Sequence, residues 1–146
     1  SGCDWSSDVC SSDLGNTITD PHTVALKTLV SGLRHLNILK ESEDEIIDKK
    51  LYFPFYMHST SHWLGIDVHD SGKYRDNNEN PTKFEEGMIL TIEPGLYFGD
   101  MAQTITKKYK NIGIRIEDDI LITNSGPKNL TNKIPKSIDS IEKLSQ

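Results

Sequence analysis

Three of the five histidines, His58, His62 and His69, fall in the stretch HSTSHWLGIDVHD. Two further stretches carry acids in suggestive places. LTIEPG holds Glu93 just before a Pro-Gly pair, and GIRIEDD holds Arg115, Glu117 and Asp119 at alternating positions. Imidazoles and carboxylates are the side chains that bind divalent cations and move protons near neutral pH. On a helix, His58 and His62 would lie on one face as in the HExxH zinc motif. The position after the first histidine is Ser59, however, so that mechanism has no base. The neighbouring Thr, Trp and Ile favour extended chain instead. There His58 and His62 share a side, while His69 points away unless Gly65 bends the chain back. Taken singly, each histidine is as readily explained as a hydrogen-bonded structural residue.

The acids shift that balance. MILTI reads as a strand buried on both sides, and Glu93 ends it on the face shared by Ile89 and Thr91. A carboxylate so placed needs a cation or several donors beside it, or its charge is too costly to bury. In the second strand Arg115, Glu117 and Asp119 share one face and Ile114, Ile116 and Ile120 the other, which any half-exposed strand would also show. One histidine with two carboxylates makes a hard nitrogen and oxygen donor set suited to Mn, Co, Fe or Zn. Read physically, the residues reach as far as a metal-dependent hydrolase with an incomplete ligand set.

These side chains need elements to hold them. Asp20 and Pro21 read as the N-cap and first position of a helix. Leu26, Leu29, Val30 and Leu33 give it an apolar stripe, and it ends near Asn37. Ser42 with Glu45 predicts a capping box opening a short acidic helix through Lys50. Residues 51–70 read as extended chain and loop, and 70–82 as a turn-rich surface excursion. GMILTIEPG predicts a strand stopped at Pro94-Gly95, TITKKYKN a loop or hairpin tip, and IGIRIEDDILIT one alternating strand closed by a turn at residues 124–127. Ile138, Ile141 and Leu144 suggest a last helical turn or two. The fold class is α+β.

At 146 residues, with 35% hydrophobic and 26% charged residues and a net charge of −6, the chain suits one domain with its own core. It shows no bilayer-length apolar run and no basic stripe of the kind that binds DNA, so neither membrane nor nucleic acid is an expected partner. Lys107, Lys108 and Lys110 read as a solvated loop. Both cysteines lie in the opening SGCDWSSDVCSSDLG, which lacks apolar periodicity. Asp4 to Leu14 match the translation of a common sequencing-library adapter at every position. Residues 1–14 are therefore expected to be non-native and disordered. Without them the chain has no cysteine, so disulfides and thiolate metal sites drop out, and 19 acids face 16 bases.

The stretches HSTSHWLGIDVHD, FEEGMILTIEPGLYF and NIGIRIEDDILIT, in that order and spacing, resemble the aminopeptidase P and prolidase family. These are pita-bread-fold metallopeptidases related to methionine aminopeptidase, and the resemblance runs from about Pro21 to Lys143. TSHWLG with DVHD is closer to the aminopeptidase P branch. The resemblance implies the C-terminal half of a pita-bread catalytic domain over residues 15–146, with an antiparallel or mixed curved sheet and flanking helices. It implies two divalent ions, manganese first among Mn, Co, Zn and Fe, with His62, Glu93 and Glu117 as metal ligands. Glu93 would also serve as the acid/base, His58 and His69 as catalytic groups that contact substrate and stabilise the scissile carbonyl, and Arg115 as the side chain orienting a metal-binding acid. The substrate would be a peptide with proline second, attacked by a hydroxide that the metals activate. A cytoplasmic enzyme is expected, with a homo-oligomer as the expected state of the parent.

One departure matters. The family's two aspartate ligands lie on a hairpin upstream of the first helix, where this chain carries the adapter-like segment. Asp20 sits too close to the helix to replace them. The chain is therefore expected to be an inactive fragment of a dinuclear Xaa-Pro aminopeptidase. Ser59 stands where the family commonly has glycine, and a small residue there changes little. Two other readings remain: a prolidase, separated by cleavage of dipeptides alone, and a pita-bread binding module that has lost catalysis. Intact His62, Glu93 and Glu117 argue against the module.

Overall fold

The computed structural model describes residues 12–102 and 108–146, and its first regular element is the helix that the leucine spacing predicts. Helix α1 spans Asp20–His35 and buries Ala25, Leu26, Leu29, Val30 and Leu33 along one face. Its start differs from expectation by one residue. Thr19 is the N-cap, Pro21 lies in the first turn, and the Asp20 carboxylate reaches back to the Thr17 amide at 2.6 Å. Helix α2 spans Glu43–Asp48, with the Ser42 hydroxyl accepting the Glu45 amide as a capping box requires. The Glu45 side chain pairs with Lys49 at 2.6 Å instead of closing the box.

Five short strands follow: β1 Ile89–Ile92, β2 Gly95–Tyr97, β3 Gly113–Arg115, β4 Asp118–Leu121 and β5 Lys128–Asn129. All their pairings are antiparallel: β1 with β4, β4 with β5, and β2 with β3. IGIRIEDDILIT is therefore two strands and not the single one expected. The cause lies on the opposite side of the ladder, where Pro94 has no amide to donate. The register nevertheless carries straight across the gap. Ile92 faces Asp118 and Gly95 faces Arg115, with two residues between on each side. Glu93 thus stands opposite Glu117, and the Ile116 amide reaches the Pro94 carbonyl at 3.2 Å.

The free edge of β1 is covered by residues 60–64, which contribute backbone bonds from Leu64 to Ile89, Thr91 to His62 and Glu93 to Thr60. One core cluster, including Trp63, Phe84, Leu90, Ile92, Ile120 and Ile122, lies around β1 and β4. Two more lie under α1, built on Leu26, Leu29, Val30, Ile46 and Tyr56 and on Leu33, Phe55, Phe98 and Ala102. Full burial of each such side chain contributes about 1.5–3 kcal/mol.

Other expectations fare differently. Residues 71–80 are exposed, as a surface excursion should be. Ile114 is not turned inward but 62% exposed, because a two-stranded sheet covers only part of its apolar face. Between α1 and β2–β3, Leu29, Leu36, Leu96, Ile112, Ile114 and Ile116 line an apolar groove of about 380 Å³. Helix α3, Ile138–Leu144, forms where expected, yet Ile138 and Leu144 face solvent. Half of TITKKYKN, residues 104–107 with Lys107 included, lies outside the described residues, as do residues 1–11 of the adapter-like opening. Ser12 is buried, and the Asp13 carbonyl accepts the Asn16 amide in a turn. Among the described residues no helix is long and apolar enough to cross a membrane.

Candidate metal centre

The broken ladder presents Thr91, Glu93, Gly95 and Tyr97 on one face, across from Asp119, Glu117, Arg115 and Gly113. Like charges directly opposite one another repel. Glu93 and Glu117 form such a pair. His62 arrives from the 60–64 segment, its amide held by the Thr91 hydroxyl at 3.1 Å. The three groups offer ligand atoms that all lie within 4.8 Å of one another. His62, Glu93 and Glu117, separated by up to 55 residues in sequence, are therefore brought together.

Hydrogen bonding fixes which atoms face the centre. His62 Nδ1 lies 2.9 Å from the Trp63 carbonyl, an acceptor, so Nδ1 carries the proton and donates it there. In the neutral ring Nε2 is left with a lone pair, 3.1 Å from Glu93 Oε1. Oε1 also accepts the Thr91 hydroxyl at 3.1 Å, while Oε2 lies 3.3 Å from Arg115 Nη1. Glu93 is 8% exposed. Partial burial, then the charges of Glu93 and Asp119, hold the Glu117 carboxyl above its ordinary pKa. Ligand atoms of one imidazole and two carboxylates thus converge across a short gap. That donor chemistry fits a divalent cation, and His62 with its carbonyl partner has the orientation such ligands show.

The other predicted groups divide into two. His69 joins the cluster because the chain turns at Gly65, with the Ile66 amide on Asp70 Oδ2 and the Asp70 amide on the Trp63 carbonyl. Its ring lies 4.3 Å from that of His62. A Cβ at Gly65 would sit 1.7 Å from Asp70 Oδ2, so a side chain there would displace the carboxylate that holds the Ile66 amide. His58 stands further off, with Nε2 2.9 Å from the Tyr97 hydroxyl. Arg115 Nε donates to that hydroxyl at 2.7 Å, and this bond is the chief reason the guanidinium is held above its ordinary pKa. With its oxygen already accepting, Tyr97 directs its own proton at His58 Nε2, and His58 Nδ1 donates to the Ser59 carbonyl at 2.8 Å.

Tyr97 is the group that sequence reasoning missed. Its even spacing from Glu93 was the available signal, since Glu93, Gly95 and Tyr97 must share a face. Gly95 and Gly113 make room for it: a Cβ at Gly95 would come within 2.7 Å of the tyrosine oxygen, and one at Gly113 within 3.1 Å of the ring. A continuous polar path therefore runs from His58 through Tyr97 and Arg115 to Glu93 and His62.

The chain is 45% identical over 130 residues to the Xaa-Pro aminopeptidase of Escherichia coli K12, a match covering 89% of this chain and 29% of that protein. To the Xaa-Pro aminopeptidase of Haemophilus influenzae it is 42% identical over 130 residues, covering 89% and 30%. Its fold superposes on Pseudomonas aeruginosa aminopeptidase PepP with a TM-score of 0.88 at 39% identity, over 94% of this chain and 31% of that one. For a zinc-substituted E. coli aminopeptidase P in complex with product the TM-score is 0.86 at 42% identity, over 95% and 31%. The chain spans about 30% of the length of these relatives. The α+β half-domain expected from the motifs is thus the one found. The model of metallopeptidase family M24 matches residues 12–124, and the chain belongs to that family.

Proposed function

We propose that the parent of this chain is a dinuclear metal-dependent aminopeptidase that releases the residue preceding proline. The observation that carries this reading is the convergence of ligand atoms from His62, Glu93 and Glu117, with His62 Nδ1 committed to a backbone carbonyl. Divalent ions held by these three residues and two upstream aspartates, manganese first among Mn, Co, Zn and Fe, would lower the pKa of a water and polarise the scissile carbonyl.

The chain's own residues do the rest. Arg115 pairs with Glu93 Oε2 and turns Oε1 toward His62. Glu93 accepts the proton of the attacking water and passes it to the leaving proline nitrogen. His58 and His69, on either side of the cluster, bind the peptide and stabilise negative charge on its carbonyl oxygen. Tyr97 sets the tautomer of His58, leaving Nδ1 protonated.

A chimera in which this chain replaces the matching segment of the E. coli Xaa-Pro aminopeptidase tests the reading. It should hydrolyse Xaa-Pro-Yaa peptides with added Mn²⁺, and Glu93→Gln should lower kcat by at least about a hundredfold. Cleavage of dipeptides alone would favour prolidase, and a folded, metal-loaded chimera without activity would favour the binding module. For the chain alone, calorimetry should find no pair of tight Mn²⁺ sites, and two such sites would contradict the incomplete ligand set.

A further inference from the structure

Thr60 ties the site to a part of the fold outside it. Its carbonyl accepts the Glu93 amide at 2.8 Å, so its backbone sits directly beside the strand end that carries the carboxylate. Its hydroxyl is fully buried, 2.9 Å from His22 Nδ1 and hydrogen-bonded to the Tyr56 hydroxyl. Tyr56 is itself buried, with its oxygen 3.5 Å from His22 Nδ1 and its ring stacked on the imidazole at 5.5 Å between centroids. The other side of Tyr56 meets His58 edge-on at 5.0 Å.

His22, Tyr56 and Thr60 thus close a polar triangle between the first turn of α1 and the segment bearing His58 and His62. Residues 60 and 62 are held to β1 by backbone bonds, whereas residues 57–59 lie in no helix or strand, so side-chain anchors help set the path there. Three polar groups at a buried contact destabilise unless all are satisfied, and a satisfied network specifies one arrangement more sharply than an apolar contact does.

We propose that His22 is a positioning residue: through Thr60 and Tyr56 it holds the 56–62 segment, and so the ring of His58 and the backbone at Glu93, in their working places. This deepens the peptidase reading and rests on it for the roles of His58 and Glu93.

The test reads the position of a ring and not turnover, so failure of the clamp is distinguishable from failure of the peptidase reading. In the 146-residue chain with ¹³C-labelled histidine, NMR follows the His58 Cε1–H signal and its nuclear Overhauser contact with the Tyr97 ring. His22→Phe keeps an aromatic ring against Tyr56 and removes both ring nitrogens, among them the Nδ1 that meets Thr60. It should displace the His58 signal and weaken that contact, while the Trp63 indole signal, from the other core cluster, stays in place. His22→Asn, whose amide can still meet the Thr60 hydroxyl, should move both back toward the parent values. An unmoved His58 signal with an intact Tyr97 contact in folded His22→Phe overturns the proposal, whatever happens to thermal stability. Should His22→Phe fail to fold, Tyr56→Phe decides by the same signal, since it deletes a single oxygen: displacement supports the clamp and constancy overturns it.

Discussion

Without a cation, the acceptors around His62 oppose one another, and that sets what single changes should do. Glu117→Gln removes one of two carboxylates that face each other across the ladder. In metal-free buffer near neutral pH it should raise Tm, through a stability gain on the order of 1 kcal/mol or less. Added Mn²⁺ should reverse the ranking, because the parent keeps a ligand that the variant has lost; calorimetric melts with and without the ion read both effects. His22 offers a different test. Burial first, and the nearby His58 second, lower its pKa from the ordinary 6.5. The unfolded chain therefore takes up this proton at a higher pH than the folded one. Stability from neutral His22 is fully present above 6.5 and is lost as pH falls through the lowered folded value. His22→Phe should flatten that part of the Tm profile, and an unchanged acid slope would assign it to other groups.

At the scale of elements, the loop from Gly65 to Asp70 is what makes two histidines neighbours. Gly65→Ala would force its Cβ into the Asp70 carboxylate and open the turn. The expected result is loss of the nuclear Overhauser contact between the His62 and His69 rings, with far-UV dichroism little changed because the loop holds no regular structure. Retention of that contact would mean the turn tolerates a side chain. The Trp63 carbonyl serves both ends of this device, accepting the Asp70 amide and the His62 Nδ1 proton. The element level also shows what sequence could and could not carry. Leu26, Leu29, Val30 and Leu33 announce α1 because a 3.6-residue period survives in any context. Alternation likewise placed Arg115, Glu117 and Asp119 on one face. It could not announce the interruption of that strand, whose cause is an amide missing from Pro94 on the partner chain segment. Nor could it find Tyr97, since an aromatic at a strand end reads equally well as core.

For the whole molecule, Glu93 was legible in advance as a carboxylate ending a buried strand, while His62 and Glu117 were legible through the motifs that resemble the family's. Burial of the faces behind them was not, because burial depends on what lies opposite. Ile114, Ile138 and Leu144 sit in apolar patterns and face water. The groove between α1 and β2–β3 shows the same thing on a larger scale, in a chain spanning about 30% of its relatives. Its consequence is colloidal. A continuous apolar surface on a native chain attracts solvatochromic dyes and is driven toward self-association by sulfate, which strengthens apolar burial. The folded chain should therefore brighten such a dye and salt out early. Ile114→Thr, which keeps a β-branched side chain on an exposed strand, should dim the dye and extend solubility while leaving the unfolding free energy within about 0.5 kcal/mol of the parent.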